Sequence, residues 1–498
     1  MTRTSLLLSF LLATTAAAQA TYFTASLDGA QEVPPVTTSA RGWGIVRFDT
    51  ASNQVRIFLH TDGLVNATAA HLHAGPVGIN GGVLVPLSSS NGSDWTGSGT
   101  LSAANAALLL AGDTYLNAHT PVNPGGEIRG QVVLPTATRM TAILDGAQEV
   151  PPNGSTATGV GIAFLHEPDD RIVYTVRTQG LVNVTAAHFH VGAAGVAGPV
   201  LEALNGGPTD YCGVTRRLTA SEVAAAKADG LYFNVHTTTF PGGEIRGQIR
   251  VNVGDFRAVL SGANEVPPVV TNAFGSGCLT VNPDATVTYE VSTSGLVGTA
   301  GHIHRAPIGL NGSVIVPFAG GPTVFSGTSS AQTAAALTDA RSGLWYVNVH
   351  TAANPGGEIR GQVEAARLPT PFGGACANSN GGRSQIGSSG FPCLGATFEV
   401  TLSGGAATAP AVFTLGANRD TALGLPLPLE LGLVGAPTCF LFHDLAVSVV
   451  LATDATGCAR FPLGVPLVPT LRGGHLYAQW FLLDQGLRAS NALDMQLQ

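Results

Sequence analysis

Leu344-Trp-Tyr-Val-Asn-Val-His350, followed by Gly356-Gly-Glu-Ile-Arg-Gly-Gln362, is the stretch that decides the fold. Aromatic and β-branched side chains fit a pleated, half-buried surface, so a run of them bounded by Gly and Pro reads as a strand. The pattern occurs twice more. Leu231-Tyr-Phe-Asn-Val-His236 precedes Gly242–Gln248, and His119 precedes Gly125–Gln131. Working outward from each, the chain shows His71-Leu72-His73, His188-Phe189-His190 and His302-Ile303-His304, each shortly after a Gly-Leu-Val. Farther upstream stand Gly29–Pro35, Gly146–Pro152 and Gly262–Pro268, all of the form Gly-Ala-x-Glu-Val-Pro-Pro. Three tandem copies of one module of roughly 117 residues (236 − 119) follow from this self-similarity.

The spacing is tight where the histidines are. From the second His of each pair to the late His is 46 residues in every copy (119 − 73, 236 − 190, 350 − 304). Upstream, Glu32 to His71 spans 39 while Glu265 to His302 spans 37. Length varies before the histidines and not between them, which points to a geometric constraint inside the module. Between the His pair and the late His, Thr219-Ala-Ser-Glu222 has capping-box spacing, and Ser102 and Thr333 hold the matching place, so one short helix is expected there. Each module then reads as seven or eight short strands and one helix, an antiparallel β-sandwich with Greek-key-like connections. The expected division is 1–20 leader, 21–135, 136–253 and 254–368 for the repeats, and 369–498 for a different C-terminal β domain.

Composition agrees with an all-β chain. Of 498 residues only 11% are charged, while Gly (64) and Pro (30) are plentiful, which suits many short strands joined by turns. Net charge is 23 − 31 = −8 and no basic cluster occurs, so a nucleic-acid partner is excluded for want of a phosphate-neutralising footprint. Arg3, the apolar Ser5–Leu12 and the small-x-small Ala18-Gln19-Ala20 read as a signal peptide cleaved before Thr21. That apolar run is too short to span a bilayer, and no later stretch serves as a transmembrane segment. A secreted, periplasmic or cell-surface protein is expected. Cysteine usage fits an oxidising compartment. By proximity Cys376–Cys393 and Cys439–Cys458 are the simplest pairs among three possible pairings, and Cys212 and Cys278 are either free thiols or bridged to each other.

The Gly-Ala-x-Glu-Val-Pro-Pro opening, the Ala-His-x-His-x-Gly centre and the Pro-Gly-Gly-Glu-Ile-Arg-Gly-Gln close resemble the CHRD domain, three times over 21–368. That family is named from the animal protein chordin and also occurs in bacterial secreted proteins. The resemblance implies an extracellular binding role toward an unknown extracellular ligand or protein, and no assigned activity. Residues 369–498 share none of these motifs and resemble the disulfide-containing β-sandwich modules of other exported proteins.

The chemistry-bearing residues are the histidines. His-x-His on a strand places both imidazoles on one face, since side chains alternate with period two. A third His from a neighbouring strand completes a three-nitrogen set suited to copper or zinc with an open position. The candidate sets are His71, His73 and His119; His188, His190 and His236; His302, His304 and His350. The layout is similar, more loosely, to copper/zinc superoxide dismutase, with Arg129, Arg246 and Arg360 in the place of an anion-guiding arginine. The zinc-ligand loop of that family has no counterpart between His73 and His119. The competing expectation is structural: imidazoles bonded to carbonyls or paired with Glu127, Glu244 and Glu358. The leading function is therefore a secreted CHRD-repeat binding protein with a three-His metal site per repeat. A copper-dependent superoxide dismutase-like enzyme and a metal-free surface or adhesion protein are the alternatives, and a non-enzyme is favoured over an enzyme. Glu32, Glu149 and Glu265 are expected at contacts between modules, His443 and His475 are expected to be structural, and His60 and His166 are expected to be surface or strand residues. Asn66-Ala-Thr and Asn183-Val-Thr match the glycan acceptor pattern.

Overall fold

A computed structural model describes residues 20–167, 170–251, 254–376 and 383–498, so the expected leader lies outside the described residues apart from Ala20. The chain is nearly all β, with 51% strand and 8% helix. Repeat 1 contains β1 (Thr21–Asp28), β2 (Arg41–Asp49), β3 (Gln54–Asp62), β4 (Ala69–Ala74), β5 (Val83–Ser89), β6 (Asp94–Thr100), α1 (Ala103–Ala111), β7 (Thr114–His119) and β8 (Ile128–Gln131). These form a closed antiparallel barrel in the order β1-β2-β3-β6-β5-β4-β7-β8. The β4-β5-β6 meander is flanked by β3 and β7, which gives the Greek-key crossing. Alternation then sorts the residues. Leu72, Leu116, Ala118 and Ile128 point inward and are fully buried, while the residues between them, His71, His73, Asn117, His119 and Arg129, stand on the opposite, outer face.

Repeats 2 and 3 keep the same strand order, but the sheet opens between the equivalents of β5 and β6. Val200–Ala203 and Asp210–Val214 share no ladder and are linked through the turn between them by the bridge Gly206↔Tyr211, and Ser313–Pro317 and Val324–Thr328 likewise by Gly320↔Phe325. The expected antiparallel all-β architecture holds, and its two layers belong to one continuous sheet that wraps round each core. The helices form where expected. Ser102 caps α1, Thr333 caps Ala334–Arg341, and Thr219 with Glu222 makes a complete capping box on Ala220–Lys227.

The C-terminal region packs a five-stranded sheet (Thr370–Phe372, Leu487–Gln496, His475–Leu483, Pro410–Gly416, Val447–Ala452) against a three-stranded one (Gln385–Ser388, Thr397–Ser403, Ala459–Gly464). Ile386, Val400, Phe413, Trp480 and Met495 fill the space between them. This domain is a hub. Trp43, Ile45 and Phe58 of β2 and β3 in repeat 1 pack on its Phe372, Phe440, Phe442 and Tyr477, with Phe58 and Phe440 ring centroids 4.4 Å apart. In repeats 2 and 3 covalent bonds do the corresponding work. Cys212 is bonded to Cys458, and Cys278 to Cys393.

These bridges overturn the pairing expected from proximity along the chain. Only Cys376–Cys439, with Cα atoms 5.0 Å apart, lies within the C-terminal domain. Cys393 and Cys458 sit where the hub meets the repeats, so their nearest thiols in space are Cys278 and Cys212, with Cα separations of 6.2 and 6.5 Å. Sequence neighbours carry no such information in a fold dominated by non-local strand pairing. Among the described residues no cysteine is free. Repeats also touch each other: Arg217 of repeat 2 pairs with Asp28 of repeat 1, and the buried Arg139 of repeat 2 pairs with Asp255 of repeat 3 at 2.7 Å.

Candidate metal centre

In repeat 1 the register of β4 against β7 sets His71 opposite Asn117 and His73 opposite Tyr115, with His119 two residues beyond Asn117. All five stand on the outer face, away from the core. One nitrogen from each of His71, His73 and His119 lies within 4.8 Å of the others, and the same holds for His188/His190/His236 and His302/His304/His350.

The backbone fixes which nitrogen is offered. A carbonyl can only accept, so a ring nitrogen facing one carries the proton and the other nitrogen keeps its lone pair. His73 Nδ1 donates to the Gly81 carbonyl at 3.0 Å, His190 Nδ1 to Gly198 at 2.9 Å, and His304 Nδ1 to Gly312 at 2.9 Å. His119, His236 and His350 donate through Nδ1 to Pro124, Pro241 and Pro355 at 3.1, 3.1 and 3.0 Å. Their Nε2 atoms turn inward, and each lies 3.1 Å from Nδ1 of His71, His188 or His302. The second His of each pair is 8% exposed, and its Nε2 is buried without a hydrogen-bond partner in all three repeats.

Burial disfavours the charged form of eight of these rings. It pushes His73 down to about 4 and lowers His71, His119, His188, His190, His236, His302 and His304 from the usual imidazole value. A neutral imidazole is the form that ligates a metal.

Behind the histidines lies a stack. His73 lies on the Tyr115 ring (centroids 4.9 Å, planes 10° apart), and Arg129 covers the other tyrosine face at 3.6 Å. His190–Tyr232–Arg246 and His304–Tyr346–Arg360 repeat it, with arginines at 3.5 Å. Such cation–π contacts contribute about 1–2 kcal/mol when desolvated. This corrects the expectation for the arginines. Arg129 is 1% exposed and donates to the carbonyls of Pro76 and Ile79 at 2.9 and 3.0 Å, so it locks the loop after β4 and does not face an incoming anion.

The glutamates also differ from expectation. Glu127 accepts from Thr120 (2.6 Å) and Thr38 (2.8 Å), not from an imidazole, and Glu244 and Glu358 repeat this with Ser155, Thr237, Thr271 and Thr351. Glu32, Glu149 and Glu265 are buried inside their own repeats rather than between modules. Each accepts from an asparagine of the late-His strand, Asn117, Asn234 or Asn348, at 3.3–3.4 Å. A Cβ at Gly126 (φ +135°) would stand 2.5 Å from Asn117 Oδ1 and 2.6 Å from Glu32 Oε1, which is why the signature needs a second glycine. Burial pushes each of these three carboxyls up to about 7. The tyrosine and asparagine partners escaped the sequence reading, although Tyr115-x-Asn117-x-His119 recurs with period two as Tyr232-x-Asn234-x-His236 and Tyr346-x-Asn348-x-His350.

Of the remaining histidines, His443 and His475 hold structural positions and His60 and His166 stand on strands. His60 bonds Asp94 and Asp62 at 2.6 and 3.0 Å, His475 bonds Asp494 at 2.6 Å, and the fully buried His443 contacts Thr414 and the Asp444 carbonyl. His166 lies buried on Thr158–Glu167.

A model of the CHRD domain matches residues 23–132, 140–249 and 256–363. The chain belongs to the CHRD domain family. Chordin of Danio rerio is 30% identical to it over 154 residues, covering 27% of this chain and 16% of chordin. The chain thus spans less than a fifth of the length of that relative. Two solved structures align at low similarity. A tetra-tandem repeat from the extending region of a large adhesion protein covers 90% of this chain and is itself 96% covered, at 11% identity and a TM-score of 0.15. Trypsin-activated alpha-2-macroglobulin from Escherichia coli covers 99%, is 42% covered, and has 9% identity and a TM-score of 0.15. At that score neither bears on the CHRD fold. The three disulfides and the likeness to chordin are consistent with an extracytoplasmic location. Among the described residues no helix is long and apolar enough to cross a membrane.

Proposed function

We propose that this is an exported binding protein of four domains (21–135, 136–253, 254–368 and 369–498, after a leader at 1–20) whose three CHRD repeats each hold one copper- or zinc-type ion. The ligands are His71, His73 and His119 in repeat 1, His188, His190 and His236 in repeat 2, and His302, His304 and His350 in repeat 3. The observation that carries this reading is the Nε2 of His73, His190 and His304, buried and unpartnered in all three repeats. A buried polar nitrogen without a partner costs about 1–3 kcal/mol, and three identical orphans facing two further ring nitrogens mark a place for a bound ion. Three nitrogens with a fourth position left open suit copper or zinc, and imidazole affinity rises along the series to copper(II). The backbone carbonyls that pin Nδ1 supply the orienting contacts such sites use.

A metal-free network is the second reading, favoured by the 3.1 Å approach of His71 Nδ1 to His119 Nε2, a normal imidazole–imidazole hydrogen bond. A superoxide dismutase-like enzyme has less support, because Arg129, Arg246 and Arg360 are buried behind tyrosines. The deciding measurement is metal per chain by elemental analysis after reloading with copper or zinc. One ion per His set is expected, reduced by one in the His188→Ala, His190→Ala double variant. Retention of no metal, with the variant lowering only thermal stability, leaves the hydrogen-bonded network.

A further inference from the structure

The three repeats offer the hub the same outer surface, and they fill it differently. Strand register equates Trp43 of β2 with Val160 and Ser276, and Phe58 of β3 with Thr175 and Glu290. In repeat 1 the Trp43 and Phe58 rings close the gap against Phe440. In repeat 3 the Cys278–Cys393 bond and the Ser292 hydroxyl, which donates to the Gly395 carbonyl at 3.2 Å, draw the surfaces together. Repeat 2 has neither device at these positions. A cavity of about 510 Å³ remains between it and the hub. Its floor is apolar (Ile143, Val160, Ile162, Phe164, Val173), and the Arg177–Glu399 ion pair, 2.9 Å long, spans repeat and hub in its lining. Val160 is 55% exposed although it stands where a tryptophan is buried in repeat 1.

We propose that this cavity binds a flat, mostly apolar aromatic molecule of one or two rings, seated in the slot that Trp43 and Phe58 occupy in repeat 1. The volume lies within the range of about 300–1,000 Å³ typical of small-molecule sites, and an apolar floor with a few polar groups is the usual lining. Arg177 is already paired with Glu399 (2.9 Å) and Asp210 (3.4 Å), so it offers the ligand a guanidinium face and not a free cation, and guanidinium groups favour aromatic faces. The site is separate from the histidines, because Thr158–Glu167, which lines it, stands four places from Val184–Val191, which carries His188 and His190, in the strand order of repeat 2. It therefore does not depend on the metal reading.

The test uses the full chain and the probe 6-propionyl-2-(dimethylamino)naphthalene, a flat two-ring aromatic whose emission strengthens in an apolar site. Saturable enhancement of fluorescence at one equivalent is expected, with at least a tenfold weaker response in Val160→Trp, which plugs the slot with the side chain repeat 1 uses. Thr175→Phe plugs it independently should the first variant fold poorly, and an unchanged thermal midpoint verifies folding. Val122→Trp places the same ring on an exposed loop and should leave binding unchanged. No saturable binding by the unmodified chain, or equal binding by both plugged variants, overturns the proposal.

Discussion

Repeat 1 and repeats 2 and 3 share one fold and attach to the C-terminal domain by opposite means. Repeat 1 is a closed barrel seated through Trp43, Ile45 and Phe58, and none of its described residues is a cysteine. Repeats 2 and 3 are nearly open sheets bolted by Cys212–Cys458 and Cys278–Cys393. The difference teaches that apolar burial and a covalent bond can meet the same structural need. The aromatic seat works through the folded state, by removing apolar area from water. A disulfide acts largely by restricting the unfolded chain, and here the closed segments span 246 and 115 residues.

The sharpest way to break the comparison is to remove both bolts. A Cys212→Ser, Cys278→Ser double variant should lose about 2–5 kcal/mol per bridge in urea unfolding, and proteolysis should release repeats 2 and 3 before repeat 1. Peptide mapping that joins Cys376 to Cys393 instead would refute the pairing. Next in size, Trp43→Ala should cost about 3–5 kcal/mol and loosen repeat 1 alone. Equal protection of repeat 1 in the variant and the parent would show that the aromatic seat does not hold it.

A smaller effect sharpens what the repeats have in common. Glu32, Glu149 and Glu265 titrate near 7 when folded and near 4.5 when the unfolded chain exposes them to water. Between those values these three carboxyls hold more protons in the native state than in the unfolded one, so their contribution to stability falls as pH rises from about 4.5 to 7, opposite in sign to that of the histidines whose values are lowered. Replacing all three by Gln should flatten that slope in thermal midpoints, and an unaltered slope would remove these residues as its source. Smallest of all, Thr219→Ala breaks the complete capping box that only repeat 2 possesses among the described repeats, at a cost of about 1 kcal/mol. Ser102→Ala should cost no more than this.

Much of the fold was legible because it is locally encoded. The Leu344–His350 type of run forms the late-His strand, the Thr219 capping box starts a helix, and the His-x-His period puts both rings on one face. The convergence of the third His was implied by a spacing of 46 that never varies. What escaped was set by non-local geometry. The disulfide partners depend on how three repeats dock on a hub, and that docking leaves no local periodicity. The fate of Arg129 depends on where the loop after β4 presents its carbonyls, while Glu32 finds Asn117 across 85 residues of chain. Both partners were visible as a Tyr-x-Asn-x-His alternation, yet alternation fixes a face and not a neighbour.

The strand that docks on the hub and the strand that carries His71 and His73 stand on opposite sides of one ring. Repeat 1 therefore turns its histidine face away from the shared centre, and in none of the three repeats does a set borrow a nitrogen from another. Ions taken up by such a chain would register as three equal, independent increments. The isotherm would be hyperbolic, and deleting one set would lower its plateau by a third without shifting its midpoint.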